Sequence, residues 1–140
     1  MRPSKNTSRR RRTPTKLIID EVPLSKNEYL KLHWSKRDIN KNIISWLIVE
    51  QRMKLMNDPN FIDDIGDFAE NVTIVFDIYF KVKRRRDIQN YLGGGLIGWL
   101  DALVDAEIIN DDSSDCIGQP IVNFHIDKNN PRTEITIEGR

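Results

Sequence analysis

The stretch Asn71 to Phe80, NVTIVFDIYF, most restricts what this chain can fold into. Val72, Ile74, Phe76, Ile78 and Phe80 alternate onto one side, the period of a β-strand. Val75 and Tyr79 put apolar groups on the other side too, which predicts a central strand covered on both faces. A chain of 140 residues at 39% apolar is long enough to supply such cover as one domain. The strand runs directly into Lys81-Val82-Lys83-Arg84-Arg85-Arg86-Asp87. Asp87 is therefore expected at or just past a strand end, where ligands gather in α/β sheets.

The remaining segments supply the partners of that strand. Lys16 to Val22 is rich in β-branched residues and reads as a short strand stopped by Pro23, with a loop following to Trp34. Ser35 and Asp38 have capping-box spacing, and a helix is expected from there to Asn57. Ile39, Ile43 and Leu47, with Trp46, Ile48 and Met53, mark its apolar face. A second helix is expected over Tyr91 to Ala106, on Leu92, Leu96, Trp99, Leu100 and Leu103. Gly93, Gly94 and Gly95 weaken its start, so it begins properly near Leu96 or lays a glycine face against another backbone. No Gly-Lys-Ser/Thr follows them, which argues against a nucleotide-cradling loop. Ile117 to Asp127 and Arg132 to Glu138 read as a hairpin. The predicted order is β-α-β-α-β-β: a single α/β or α+β domain with a small mixed sheet and two main helices.

Charge is unevenly distributed along the chain. Seven of its 22 cations fall in residues 1 to 16, which hold no acid, leaving 15 cations against 21 acids beyond. Residues 1 to 15, with Arg9 to Arg12, read as a disordered basic tail preceding a folded domain from 16 to 140. Concentrated basic patches on an acidic body suit a nucleic-acid partner, although a solvated tail has the same composition. The acids Asp63, Asp64, Asp67 and Glu70 admit a metal site but read first as an exposed acidic loop. No apolar run is long enough for a membrane span and no apolar secretion leader opens the chain, so a cytoplasmic protein is expected. Cys116 stands alone, excluding an internal disulfide, and His33 and His125 are too isolated for a zinc cluster.

The chemistry concentrates between Lys81 and Asp112. Lys81, Lys83, Arg84, Arg85 and Arg86 can hold phosphates, the arginines bidentately. Asp87 before the second helix and Asp112 after it are the carboxylates best placed for Mg²⁺, or Mn²⁺, which takes one or two carboxylates plus water and phosphate oxygens. The same residues also admit a plain reading, in which Asp87 pairs with its neighbouring arginines and Asp111-Asp112 forms a turn.

The stretch resembles the RusA family of crossover-junction endodeoxyribonucleases. The resemblance rests on the basic run, Arg86-Asp87-Ile88-Gln89-Asn90, Asp101-Ala102-Leu103 and Asp111-Asp112. A further element, Pro23, Ser25, Asn27 and Tyr29, matches a Pro-x-Ser-x-Asn-x-Tyr pattern, and the likeness spans roughly residues 17 to 138. It implies a homodimer that binds four-way DNA junctions in recombination and repair and nicks them symmetrically with Mg²⁺. It also implies Asp87 and Asp112 as catalytic metal ligands and Gln89 as a weaker third. Asp101, Asp111, Asn90 and Asn27 are then supporting residues, Asp101 equally a structural one that orients an arginine. Trp46 and Trp99 are candidates for the dimer surface. Two departures stand out: the family's second carboxylate is Gln89 here, and its catalytic lysine falls on Gly93. The alternative is therefore a RusA-like protein that holds branched DNA but cuts slowly or not at all.

Overall fold

The computed structural model describes residues 15–57, 72–109 and 118–139. The basic tail, the acidic stretch 61–70, Asp111, Asp112 and Cys116 lie outside the described residues. In chain order the elements are β1 (Thr15–Ile19), α1 (Lys26–Lys31), α2 (Trp34–Met56), β2 (Val72–Phe80), α3 (Ile88–Leu92), α4 (Gly95–Asp105), β3 (Ile121–Ile126) and β4 (Arg132–Gly139). The strands form one mixed sheet in the order β1-β4-β2-β3. It is a small mixed α/β domain in which the first expected helix stands as α2, the second is split into α3 and α4, and α1 is additional.

β2 is central, as its alternation predicts, and Val72, Ile74, Phe76, Ile78 and Phe80 are all buried. With Leu17, Ile19, Ile135 and Ile137 they meet Ile44 and Ile48 of α2 and Leu96, Trp99 and Leu103 of α4 in one core. The expected cover on the second face is absent among the described residues. Thr73, Val75, Asp77 and Tyr79 are only half-buried. A polar and aromatic network runs over that face instead. Lys16 Nζ lies 3.1 Å from Glu134, Arg132 bonds both Glu134 and Asp127 at 2.8 Å, and its guanidinium sits 3.8 Å over the Tyr79 ring. Tyr79 stacks on His125 at 4.5 Å, and His125 Nε2 meets Asp77 Oδ1 at 2.8 Å. Such pairs suit a wet sheet face, which Val75 and Tyr79 had made look like a second apolar one.

The expected β3–β4 hairpin does not form, because β2 lies between the two strands, parallel to β3 and antiparallel to β4. The link 127–131 steps over the carboxyl end of β2, where Asp127 N donates to Phe80 O at 2.8 Å. Asp127 Oδ1 accepts from Asn129 N and Asn130 N, both at 3.2 Å, and so shapes the turn.

Two helix readings also change. Residues 24 to 34, expected as loop, contain α1, capped by Ser25 and Glu28 in a reciprocal capping box. α2 starts one residue before the predicted Ser35, with His33 as N-cap. Its inner face is Ile44 and Ile48, while Ile39, Ile43, Trp46 and Met53 point outward. Trp99 is buried, which removes it as a surface candidate.

Candidate nucleic-acid and metal site

The carboxyl end of β2, an interior strand, delivers the basic run, and Arg86 folds it back. Arg86 Nη1 donates to Val82 O at 2.9 Å, and the guanidinium stacks 3.8 Å over Phe80. Arg86 is thereby committed to shaping the loop, whereas Lys81, Lys83, Arg84 and Arg85 remain exposed. Below the loop, Phe80, Tyr91 and Phe124 form an aromatic triangle with centroid separations of 5.3 to 5.5 Å.

Asp87 then caps α3. Its Oδ1 accepts from Gln89 N at 3.0 Å, leaving Oδ2 without a described partner. The short helix turns Asn90 and Tyr91 inward and leaves Gln89 exposed. Gly93 and Gly94 break the predicted long helix into α3 and α4, and the reason lies across the gap. A Cβ on Gly94 would stand 2.6 Å from Lys26 N, and one on Gly95 would stand 2.6 Å from Leu24 N. Gly95 N donates to Leu24 O at 2.9 Å. The glycines therefore admit the backbone of residues 24–26 against the start of α4. Both readings left open for them are met: α4 starts at Gly95, beside Leu96, and the glycines lie against another backbone.

That contact brings the two separated sequence elements together. A cleft of about 890 Å³ is lined by Ser25, Asn27 and Glu28 from α1 and its cap, and by Arg84 through Ile88, Asn90 and Tyr91. Arg37 anchors α1 from behind, with Nε donating to Tyr29 O and Nη2 to Leu30 O, both at 3.1 Å. One wall is cationic through Arg84 and Arg85. The carboxylate of Asp87 and the amides of Asn27 and Asn90 supply oxygen donors beside it.

No family model matches the sequence, and no curated protein matches it significantly.

Of the expected site residues, Arg84, Arg85, Arg86, Asp87, Asn90 and Asn27 line this cleft. Lys81, Lys83, Gln89 and Asp101 do not; Asp101 lies half-exposed on α4. Asp111 and Asp112 are outside the described residues, although Ile108 and Ile109, just before them, are fixed in the core. Among the described residues no three His, Cys, Asp or Glu side chains group as a metal site. The donor set is nonetheless hard oxygen throughout, which fits a Mg²⁺ held by few protein ligands and shared with a phosphate. One cleft residue went unread in the sequence. Glu28 lines the cleft, and its Ser-x-x-Glu spacing was a legible signal. No described helix is long and apolar enough to cross a membrane.

Proposed function

We propose that the protein is a RusA-like, Mg²⁺-dependent endodeoxyribonuclease that works as a homodimer and nicks four-way DNA junctions in paired fashion. The observation that carries this reading is the shared cleft. Ser25 and Asn27 face the same space as Arg84, Arg85 and Asp87, although α2 and β2 intervene in sequence. A polyanion track beside a carboxylate is what phosphodiester chemistry requires.

Asp87, Asn90 and Asn27 would hold the cation, and Asp112 would join them. When bound, the cation supplies Lewis-acid polarisation of the scissile phosphate. Arg84 and Arg85 hold the flanking phosphates. The bond from Gln89 N fixes the Asp87 carboxylate, so its free oxygen keeps one direction. The alternative, a junction-binding protein that cuts slowly or not at all, is favoured by Gln89, which brings no ligand charge.

The test is a labelled four-way junction incubated with the full chain, with and without Mg²⁺ or Mn²⁺. Metal-dependent paired nicks, lost in Asp87→Asn, support the enzyme. Tight binding without nicks, with cleavage appearing in Gln89→Asp, supports the binding protein. No binding at low salt removes both readings.

A further inference from the structure

Helix α2 carries a second apolar stripe, opposite the one it buries. Ile44 and Ile48 face the core at no more than 1% exposure, while Ile39, Ile43, Trp46, Val49 and Met53 lie outside, Trp46 at 66%. Relative to Trp46 these outer positions fall at −7, −3, 0, +3 and +7. The pattern is unchanged when the helix is reversed end for end. That is the property needed by a helix packing on its own copy across a two-fold axis, because each residue then meets its mirror position.

We propose that this stripe is the homodimer interface, with two α2 helices antiparallel and Trp46 on the two-fold axis. Ile39 then layers with the partner's Met53, and Ile43 with the partner's Val49. The polar residues within the stripe select the direction. Asn42 and Glu50 lie at −4 and +4, so the antiparallel arrangement sets each Glu50 carboxylate beside an Asn42 amide that can donate to it. A parallel arrangement would set Glu50 against Glu50, two like charges in a drying layer. The surface has a matching shape: a hollow of about 510 Å³ in the first half of the stripe is lined by Ile39, Asn42, Ile43, Trp46 and Leu47. End reversal brings Val49 and Met53 of the second copy over it.

The stripe is roughly 20 Å long at 1.5 Å per residue, and its exposed apolar area is on the order of 600 Å² per copy, at the low end of specific interfaces. A dimer that dissociates on dilution is the consequence. The inference names the surface of the two-fold assembly in the proposed function, but α2 alone carries it.

The test is sedimentation of the full chain over a range of concentrations, beside Trp46→Arg. The wild type should shift from monomer to dimer, and Trp46→Arg should stay monomeric with an unchanged circular-dichroism spectrum. In a Cys116→Ser background, Trp46→Cys should form a disulfide with itself on mild oxidation. Met53→Cys alone should not, whereas Ile39→Cys combined with Met53→Cys should. A wild type that stays monomeric, as when another part of the chain covers the stripe, overturns the proposal. So does a Trp46→Arg variant that still dimerises. Junction binding measured on the same samples keeps the two ideas apart. An α2 dimer that ignores junctions sinks the nuclease reading only, and a junction-binding dimer that survives Trp46→Arg sinks this one only.

Discussion

Asp87 has two duties that a single substitution can separate. As N-cap it accepts the Gln89 N–H, and as a proposed ligand it offers a negative oxygen. Asparagine caps about as well as aspartate, so Asp87→Asn should leave the urea midpoint nearly unchanged while abolishing metal-dependent cleavage. Asp87→Ala should lose cleavage and about 1 kcal/mol of stability as well. Glu107 offers the opposite case. It follows α4 at φ 61°, where its N–H bonds Val104 O at 3.0 Å and Ile108 N bonds Leu103 O at 3.0 Å. This is the closing turn that glycine fills without steric cost, so Glu107→Gly should raise the denaturation midpoint by about 1 kcal/mol equivalent. On the open sheet face, burial works against the charged form of Glu134. Hydrogen bonds and charge from Arg132 and Lys16 outweigh it and hold the carboxyl below its ordinary range. Asp127 is lowered as well, chiefly by its bond to Arg132. Depressed acid pKa values add stability above the ordinary carboxylate range and lose it as pH falls. Wild-type stability should therefore drop more steeply on acidification than that of Arg132→Leu, measured by urea denaturation at a series of pH values.

At the scale of elements, the glycine triplet decides whether the cleft exists. Gly95→Ala would force a Cβ to 2.6 Å from Leu24 N and 2.7 Å from Leu24 O, both backbone atoms with little room to yield. We expect a loss of about 3 kcal/mol in urea denaturation, with α1 displaced and junction binding weakened. Gly98→Ala, which meets nothing within 4 Å, should be tolerated. The elements also show what a sequence can and cannot convey. β2 was legible because its alternation has one solution. α2 was legible as a helix but not in its orientation: Ile39-Ile43-Leu47 and Ile44-Ile48 fit the helical period equally well, and only the fold selects the inner pair. α1 was missed although Ser25 and Glu28 announce its start, because six residues leave no period to read. The β3–β4 hairpin was misread because strands consecutive in sequence usually pair, and here β2 fills the gap between them.

For the molecule as a whole, the basic run was legible as the continuation of β2, whereas Asp87 stands seven residues past the strand end as the N-cap of α3, and the fold adds the wall that faces them. The contribution of Leu24 to Glu28 could not be deduced from spacing, because its partner, the glycine break, follows α2 and β2 in the chain. In the proposed function, DNA phosphates lie in this cleft beside Asp87. Junction affinity measured across a salt series, for the wild type and for Arg84→Ala with Arg85→Ala, tests it most directly. Each lost phosphate contact flattens the log–log salt dependence by about 0.9, so the double variant should bind more weakly with a slope reduced by about 2. An unchanged slope and affinity would contradict the account and move the DNA track elsewhere on the protein.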